Sequence, residues 1–231
     1  MSIKTCVLGL LALFSLAAVP AHATCRDSVV LVHGNTGSPS DFQNTYDLLR
    51  QRGWSDAQII APRWGDPLCA ACNDHSGSEE TPVRNAISQA IAGSCSGRID
   101  VIGHSMGVTL AMREIDRLGV AGKVDVFIGI AGAVHGLWSC GMYPWNVATS
   151  TCGYYGLSVG SPLLQSLAGH RFGAHMYSMK SWVDEIDCYG SCLVYGVHTS
   201  TIPGEDASFD YPYGHYQLLW LTASDQVTLL Q

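Results

Sequence analysis

Charge is scarce in this chain. Only 13% of its 231 residues are charged, and Lys and Arg together number 12 against 19 Asp and Glu. A surface that tracks nucleic-acid phosphates draws its affinity from clustered Lys and Arg, so the balance argues against a nucleic-acid partner. Long apolar runs are scarce too. The longest extends from Cys6 to Val19, shorter than the roughly 20 residues of a membrane span, so stable membrane insertion is not expected. Repeats, charge blocks and linker-like stretches are missing, and no domain boundary is placed between them. What remains is 47% hydrophobic with Gly 25 and Pro 9, the composition of a globular protein.

The early apolar run has a second meaning. Lys4 precedes it, and Pro20 and Ala21-His22-Ala23 follow, which is the charge, apolar stretch and small-residue cleavage site of a secretory leader. The expectation is a signal peptide over 1–23, one catalytic domain over 24–231, and a secreted protein, extracellular or periplasmic. Losing Lys4 takes the formal charge from −7 to −8 and losing Cys6 leaves eight of nine cysteines: Cys25, Cys69, Cys72, Cys95, Cys140, Cys152, Cys188 and Cys192. An even number in an exported chain points to disulfides.

Short β-branched runs alternate with amphipathic segments. Ser28–His33, Ala57–Ala61, Ile99–Gly103 and Val124–Ala131 read as strands, with Ala174–Met179 and Tyr195–Thr201 as weaker ones. Asp41–Arg52 reads as a helix with Ser40 and Gln43 spaced as a capping box, and another opens at Thr81-Pro82 with Val83, Ile87 and Ile91 on its apolar face. Met106–Leu118 and Tyr216–Leu230 complete the set. This alternation predicts an α/β fold with a mostly parallel sheet of about six strands and helices on both faces. Its chemistry belongs at the carboxyl ends of the strands.

At one such end stands Gly103-His104-Ser105-Met106-Gly107, a G-x-S-x-G. Between a strand and a helix, this pattern makes a sharp turn that lifts Ser105 above the sheet as a nucleophile. The oxyanion formed on attack needs two backbone N–H donors. Met106, opening the helix, supplies one, and Asn35 in the loop after the first strand is the best-placed second. Hydrolases of this topology place the acid and then the base after the serine. His215 follows a glycine-containing loop, Gly204–Gly214, at the catalytic end. For the acid, Asp184, Glu185 and Asp187 compete. Asp184 is nearest the strand exit and is preferred, while Glu185 and Asp187 read as solvated loop charge. Asp206 and Asp210 resemble a loose Ca²⁺ loop but read as an exposed acidic loop, and no metal site is assigned. Cys69-Ala-Ala-Cys72 lacks the context of a thioredoxin motif or zinc knuckle.

With these residues in view the chain resembles a known family. Val30-Leu-Val-His-Gly-Asn35, Arg50-Gln-Arg-Gly-Trp54, Asp100-Val-Ile-Gly-His-Ser-Met-Gly107 and Gly214-His-Tyr-Gln-Leu-Leu219 are similar to the secreted bacterial lipases of the small, lidless α/β-hydrolase type. These are class 2 lipases, whose best-known members are the Bacillus minimal lipases. The resemblance covers nearly the whole mature chain and implies Asp184 as acid, after Tyr177-Ser178, and His215 as base. Two features depart from the Bacillus pattern: Gly103 stands where those enzymes have Ala, and they lack these eight cysteines.

The expected activity is carboxylic ester hydrolysis through an acyl-enzyme, by a lipase or esterase that needs no cofactor and works as a monomer on a lipid or ester substrate, at an oil–water or polymer interface. The segment between Ala131 and Ala174 is too short for a cap domain. Its Trp138, Met142, Tyr143 and Trp145 are candidates for an acyl-chain groove. In the hydrolase topology the first and third strands are parallel neighbours, which brings Cys25 level with Cys95 at the end of the sheet away from the chemistry. The remaining cysteines then divide into local pairs, Cys69 with Cys72, Cys140 with Cys152 and Cys188 with Cys192. Two rivals stand beside this reading: an extracellular polyester depolymerase with the same triad, and a non-catalytic secreted binding protein that keeps the hydrolase shell.

Overall fold

The structure, a computed structural model, describes residues 25–230. The expected leader over 1–23 lies outside the described residues. In chain order the elements are β1 (Ser28–Val32), α1 (Gln43–Gln51), β2 (Ile59–Ile60), α2 (Glu80–Gly93), β3 (Ile99–His104), α3 (Met106–Leu118), β4 (Val124–Ile130), β5 (Leu137–Met142), β6 (Ser158–Val159), α4 (Pro162–Leu167), β7 (His175–Lys180), β8 (Leu193–Val194), β9 (Val197–His198), β10 (Ala207–Asp210), α5 (His215–Leu221) and α6 (Ala223–Leu229).

A strand buried on both faces needs apolar residues at every position, and β1, β3 and β4 have nearly that. They form the centre of a six-stranded parallel sheet in the order β10-β7-β4-β3-β1-β2. Successive side chains of β1 point to opposite faces. Val29 and Leu31 pack with Phe42, Leu49, Trp54 and Leu218 on the face covered by α1, α5 and α6. Val30 and Val32 pack with Val83, Ile87, Leu110 and Met112 on the face covered by α2, α3 and α4. Between α2 and α3 the buried Glu80 carboxylate accepts from Arg84, Arg113 and Arg117, and Glu114 from Arg84 at 2.7 Å. A carboxylate taken out of water requires this pairing.

Local signals set the element ends, with several shifts from the sequence reading. The turn into α1 begins at Ser38, whose N–H donates to Asp41 Oδ2 at 2.9 Å, so the cap lies two residues earlier than the expected Ser40–Gln43 box. Gly119, at φ 65°, closes α3 in the left-handed conformation. The second strand shrinks to Ile59–Ile60. The stretch expected as a strand at Tyr195–Thr201 is outside the main sheet: β8 and β9 form a small antiparallel hairpin turning at Tyr195 and Gly196, both at positive φ. The sixth strand is instead β10, within the segment read as a loop. Its Ala-Ser-Phe-Asp sequence alternates between half-buried and exposed, an edge pattern too short and polar to register as a buried run. The closing helix is two, broken at Thr222, whose Oγ donates to Leu218 O at 2.7 Å.

The described cysteines are bonded as Cys25–Cys95, Cys69–Cys72, Cys140–Cys152 and Cys188–Cys192. The first pair follows from register: Ser28 of β1 stands opposite Ile99 of β3, and each cysteine lies just before its strand, with the two Cα atoms 5.8 Å apart. Peptide mapping of the purified protein without reduction is expected to recover a Cys25–Cys95 peptide. A peptide joining Cys25 to any other cysteine would contradict the strand register.

Candidate active site

The strand ends of β1, β3, β4 and β7 bring the sequence-selected residues to one edge of the sheet. Ser105 sits between β3 and α3 at φ 53° and ψ −132°, a region that a non-glycine residue occupies only when its surroundings hold it there. Its N–H donates to Ile130 O of β4 at 2.8 Å, and its C=O accepts from Val108 N at 3.0 Å. The flanking glycines are required by contact as well as by conformation. A Cβ on Gly107 would run into the carbonyl oxygens of Val32 and His33, and one on Gly103 would stand 2.7 Å from Val108 Cα. The loop after β1 approaches so closely that a Cβ on Gly34 would be 2.9 Å from Ser105 Cβ. Asn35 is therefore next to a residue in contact with Ser105, and Met106 is the first residue of a helix, where N–H groups lack intrahelical acceptors.

That loop is braced from behind by His33. Its Nε2 accepts from Trp64 N–H at 3.2 Å, so Nδ1 carries the proton and donates to Gly34 O at 2.8 Å. Trp64 stacks on the ring and donates its indole N–H to His33 O at 2.8 Å. Burial pushes the His33 pKa down, which favours the neutral form, and the two hydrogen bonds set its tautomer.

His215 follows the Gly204–Gly214 loop and is the first residue of α5, one residue earlier than the expected helix start at Tyr216. Its Nδ1 lies 2.8 Å from Asp184 Oδ2 and 2.9 Å from Oδ1, and both side chains are buried. Asp184 Oδ1 also accepts from Ile186 N at 2.9 Å and Asp187 N at 2.8 Å. Burial works against the charged carboxylate, but His215 and these amides together hold its pKa below the usual value. Burial likewise opposes the imidazolium, and the hydrogen bond to Asp184, with the charges of Asp187, Asp184 and Glu185, raises the His215 pKa above the ordinary 6.5. His104 is different. Its Nε2 donates to His215 O at 3.2 Å, and burial, assisted by the nearby His215 charge, drives its pKa down to about 3.

Of the other two acids of the loop, both expected as solvated charge, Asp187 is not and Glu185 is. Asp187 is buried, with Oδ1 4.0 Å from His215 Nδ1 and Oδ2 accepting from Ser200 Oγ at 2.6 Å. Burial, with the charge of Asp184 adding to it, pushes its carboxyl up to about 7. Glu185 is exposed, yet it accepts the His215 N–H at 3.0 Å. Neither role is visible in the sequence, because spacing along the chain marks neither the burial of Asp187 nor the backbone partner of Glu185. Asp206 also has a structural partner, accepting from Met176 N at 2.8 Å.

The aromatic candidates are held elsewhere. Trp138 donates to Leu193 O at 2.8 Å, Tyr143 meets Tyr154 edge to face, and Met142 and Trp145 are exposed. The ring in contact with the histidines is Tyr216, 5.7 Å from both His104 and His215. Exposed Trp182, Val183 and Ile186 flank Asp184 in sequence, and Tyr216, Trp220 and Leu221 follow His215. Their positions beside the acid and base were the available signal, and sequence reasoning missed it.

A model of the class 2 lipases matches residues 26–228. The chain belongs to the class 2 lipase family. Among solved structures, this lipase resembles Aspergillus fumigatus lipase B (19% identity, TM-score 0.60, 88% of this chain and 52% of that one). It also resembles the mature form of the Bacillus licheniformis lipase BlEst2 (13% identity, TM-score 0.62, 93% and 96%) and the pyrethroid hydrolase PytH (13%, 0.54, 88% and 97%). The chain thus spans about half the length of the Aspergillus enzyme. No curated protein matched the sequence. At these identities the likenesses concern architecture, and they make the sheet an α/β-hydrolase fold. Family membership makes the chain a lipolytic ester hydrolase.

If His215 acts as the base it must be neutral to accept a proton, and the acid limb of the kcat/KM profile is then expected above the ordinary histidine value. Asp187→Asn removes a carboxyl that raises the His215 pKa to the extent that it is ionised and should move that limb to lower pH, at a cost below about tenfold in kcat. Asp184→Asn should cost on the order of 10³–10⁴-fold. A steady-state pH series on both variants checks this, and the reverse ranking would transfer the acid's role to Asp187.

Proposed function

We propose that this class 2 lipase is a secreted carboxylic ester hydrolase working through a Ser105–His215–Asp184 triad. The observation that carries the reading is the buried 2.8 Å contact of His215 Nδ1 with Asp184, at the sheet edge where the strained Ser105 turn emerges. With Nδ1–H committed to Asp184, the lone pair of His215 lies on Nε2, the tautomer a general base needs. Ser105 Oγ attacks the ester carbonyl carbon as its proton passes to Nε2. The N–H groups of Asn35 and Met106 receive the oxyanion. Collapse expels the alcohol, which takes the proton from His215. A water then attacks the acyl-enzyme, giving its proton to His215, and the carboxylic acid leaves as Ser105 regains its proton. Asp184 stays ionised and stabilises the imidazolium in both halves.

The exposed Trp182, Val183, Ile186, Tyr216, Trp220 and Leu221 support an apolar ester substrate met at an interface. Trp138, Met142, Tyr143 and Trp145 are proposed only as an outer surface for longer acyl chains, supported by the exposure of Met142 and Trp145. The disulfides fit an exported chain, and no helix of the described residues is long and apolar enough to cross a membrane. Processing after Ala23 and a monomeric state belong to the same proposal.

Ser105→Ala should lose at least about 10⁴-fold in p-nitrophenyl ester turnover with unchanged far-UV circular dichroism. Turnover near wild type would end the assignment. A chain-length series beside emulsified triglyceride and polyester film then ranks lipase, esterase and polyesterase. Activity should rise smoothly through the emulsion threshold, since the short 132–173 segment provides no cap. An abrupt jump there would mean that this segment closes over the site.

A further inference from the structure

We propose that Asn73 is a positioning residue for the oxyanion hole. It would act by holding the side chain of Asn35, with the loop closed by Cys69 and Cys72 as a second clamp. The inference rests on the reading of Asn35 as an oxyanion donor and adds how that donor is kept in place.

Asn73 is fully buried, and its amide is engaged on both atoms. Nδ2 donates to Asn35 Oδ1 at 2.7 Å and to Asp66 O at 3.0 Å, while Oδ1 accepts from Asp66 N at 2.7 Å. Its backbone O accepts from Thr151 Oγ at 2.6 Å. A buried primary amide with donor and acceptor both used has one allowed orientation, since reversing it would set donor against donor. The fit is also steric. Gly65, at positive φ, leaves only 3.0 Å between the place of a Cβ and Asn73 Cγ. An apolar residue of similar size would fill the space without directing Asn35.

The other half of the Asn35 side chain meets the second clamp. Its Nδ2 donates to Ala70 O at 2.9 Å, inside the ring closed by the Cys69–Cys72 bond. Thr151 Oγ shares its one proton between Asn73 O and Ala70 O, and its neighbour Cys152 is bonded to Cys140. The same segment reaches the support of Met106. His75 Nδ1–H donates to Tyr155 O at 2.9 Å, and Nε2 pairs with Thr109 Oγ at 2.7 Å, one helical turn beyond Met106.

These contacts give the Cys69–Cys72 loop a task in the chemistry. Asn35 lies in a tight turn, with Gly37 N donating to Gly34 O at 3.0 Å and Thr36 at positive φ. Its peptide can pivot unless the side chain is held. An oxyanion donor must stand within about 0.5 Å of its working position before the charge develops. The side chain is therefore tied at both ends, while the backbone N–H stays available to the reacting ester.

The test is a double-mutant cycle with Asn35→Ala and Asn73→Ala on a p-nitrophenyl ester. It reads kcat and KM separately, the affinity of a trifluoromethyl ketone that forms a tetrahedral adduct, and thermal stability. Asn35→Ala keeps the backbone N–H and loses only the clamp. Each single variant is expected to lower kcat about tenfold, leave KM within about twofold, and weaken the ketone by the same factor as kcat/KM. The double variant should be no worse than the weaker single one, because both act through one contact. Effects that multiply, or an unchanged ketone affinity beside a lowered melting temperature, would reduce Asn73 to a structural residue. Should Asn73→Ala not fold, Asn35→Ala decides alone: wild-type kcat in that partly exposed position overturns the clamp. Ser105→Ala is assayed beside these variants. Inactivity there with wild-type kinetics in Asn35→Ala defeats only the clamp, whereas an active Ser105→Ala defeats the underlying reading.

Discussion

The approach of the β1 exit to the start of α3 is the constraint on which the site depends. Three glycines, Gly34, Gly103 and Gly107, allow the backbones to touch where any Cβ would collide. Ser105 is thereby forced into a sparsely populated conformation that costs about 1–3 kcal/mol, a cost that only a well-packed surrounding can sustain. That surrounding is the fully buried pair β1 and β3, tied to β4 through the Ser105 amide. One contact thus sets the placement of Ser105, the distance of the loop after β1 from it and the open end of α3 beneath it.

The acid side follows a different logic. Burying two carboxylates beside one imidazole is unfavourable unless the charges are shared out, and the hydrogen bonds divide them. Asp184 takes His215 and two backbone amides and remains ionised, whereas Asp187 takes only the Ser200 hydroxyl and is held closer to neutral. Glu185 closes the arrangement from the solvent side by capping the His215 amide. Each of the three acids therefore has a separate environment although they lie within four residues.

Much of the fold was legible because its central strands are buried on both faces, which leaves unbroken β-branched runs such as Ser28–Val32. The edge strand β10 was not, since a half-exposed strand of alternating residues resembles a loop. The candidate site was legible where chemistry demands a local pattern: the Ser105 turn has its glycines at fixed spacing, chain order points to His215, and nearness to the strand exit prefers Asp184 over its two neighbouring acids. Residues whose importance lies in a long-range partner left no trace. Asn73 is one amide among many until it meets Asn35, and Asp187 looks like any loop carboxylate until Ser200 covers it. Tyr216 and Trp182 fall between these cases, being adjacent to site residues but marked by nothing except that adjacency.

The account stands or falls on the geometry around Ser105 when charge has formed. A crystal structure of the protein inactivated by an alkyl phosphonate, a stable mimic of the tetrahedral intermediate, measures it directly. The phosphorus is predicted on Ser105 Oγ, one phosphoryl oxygen within about 3 Å of the backbone nitrogens of both Asn35 and Met106, and His215 still bonded to Asp184. Phosphorus on another residue, or an oxygen directed away from those two amides, would contradict it.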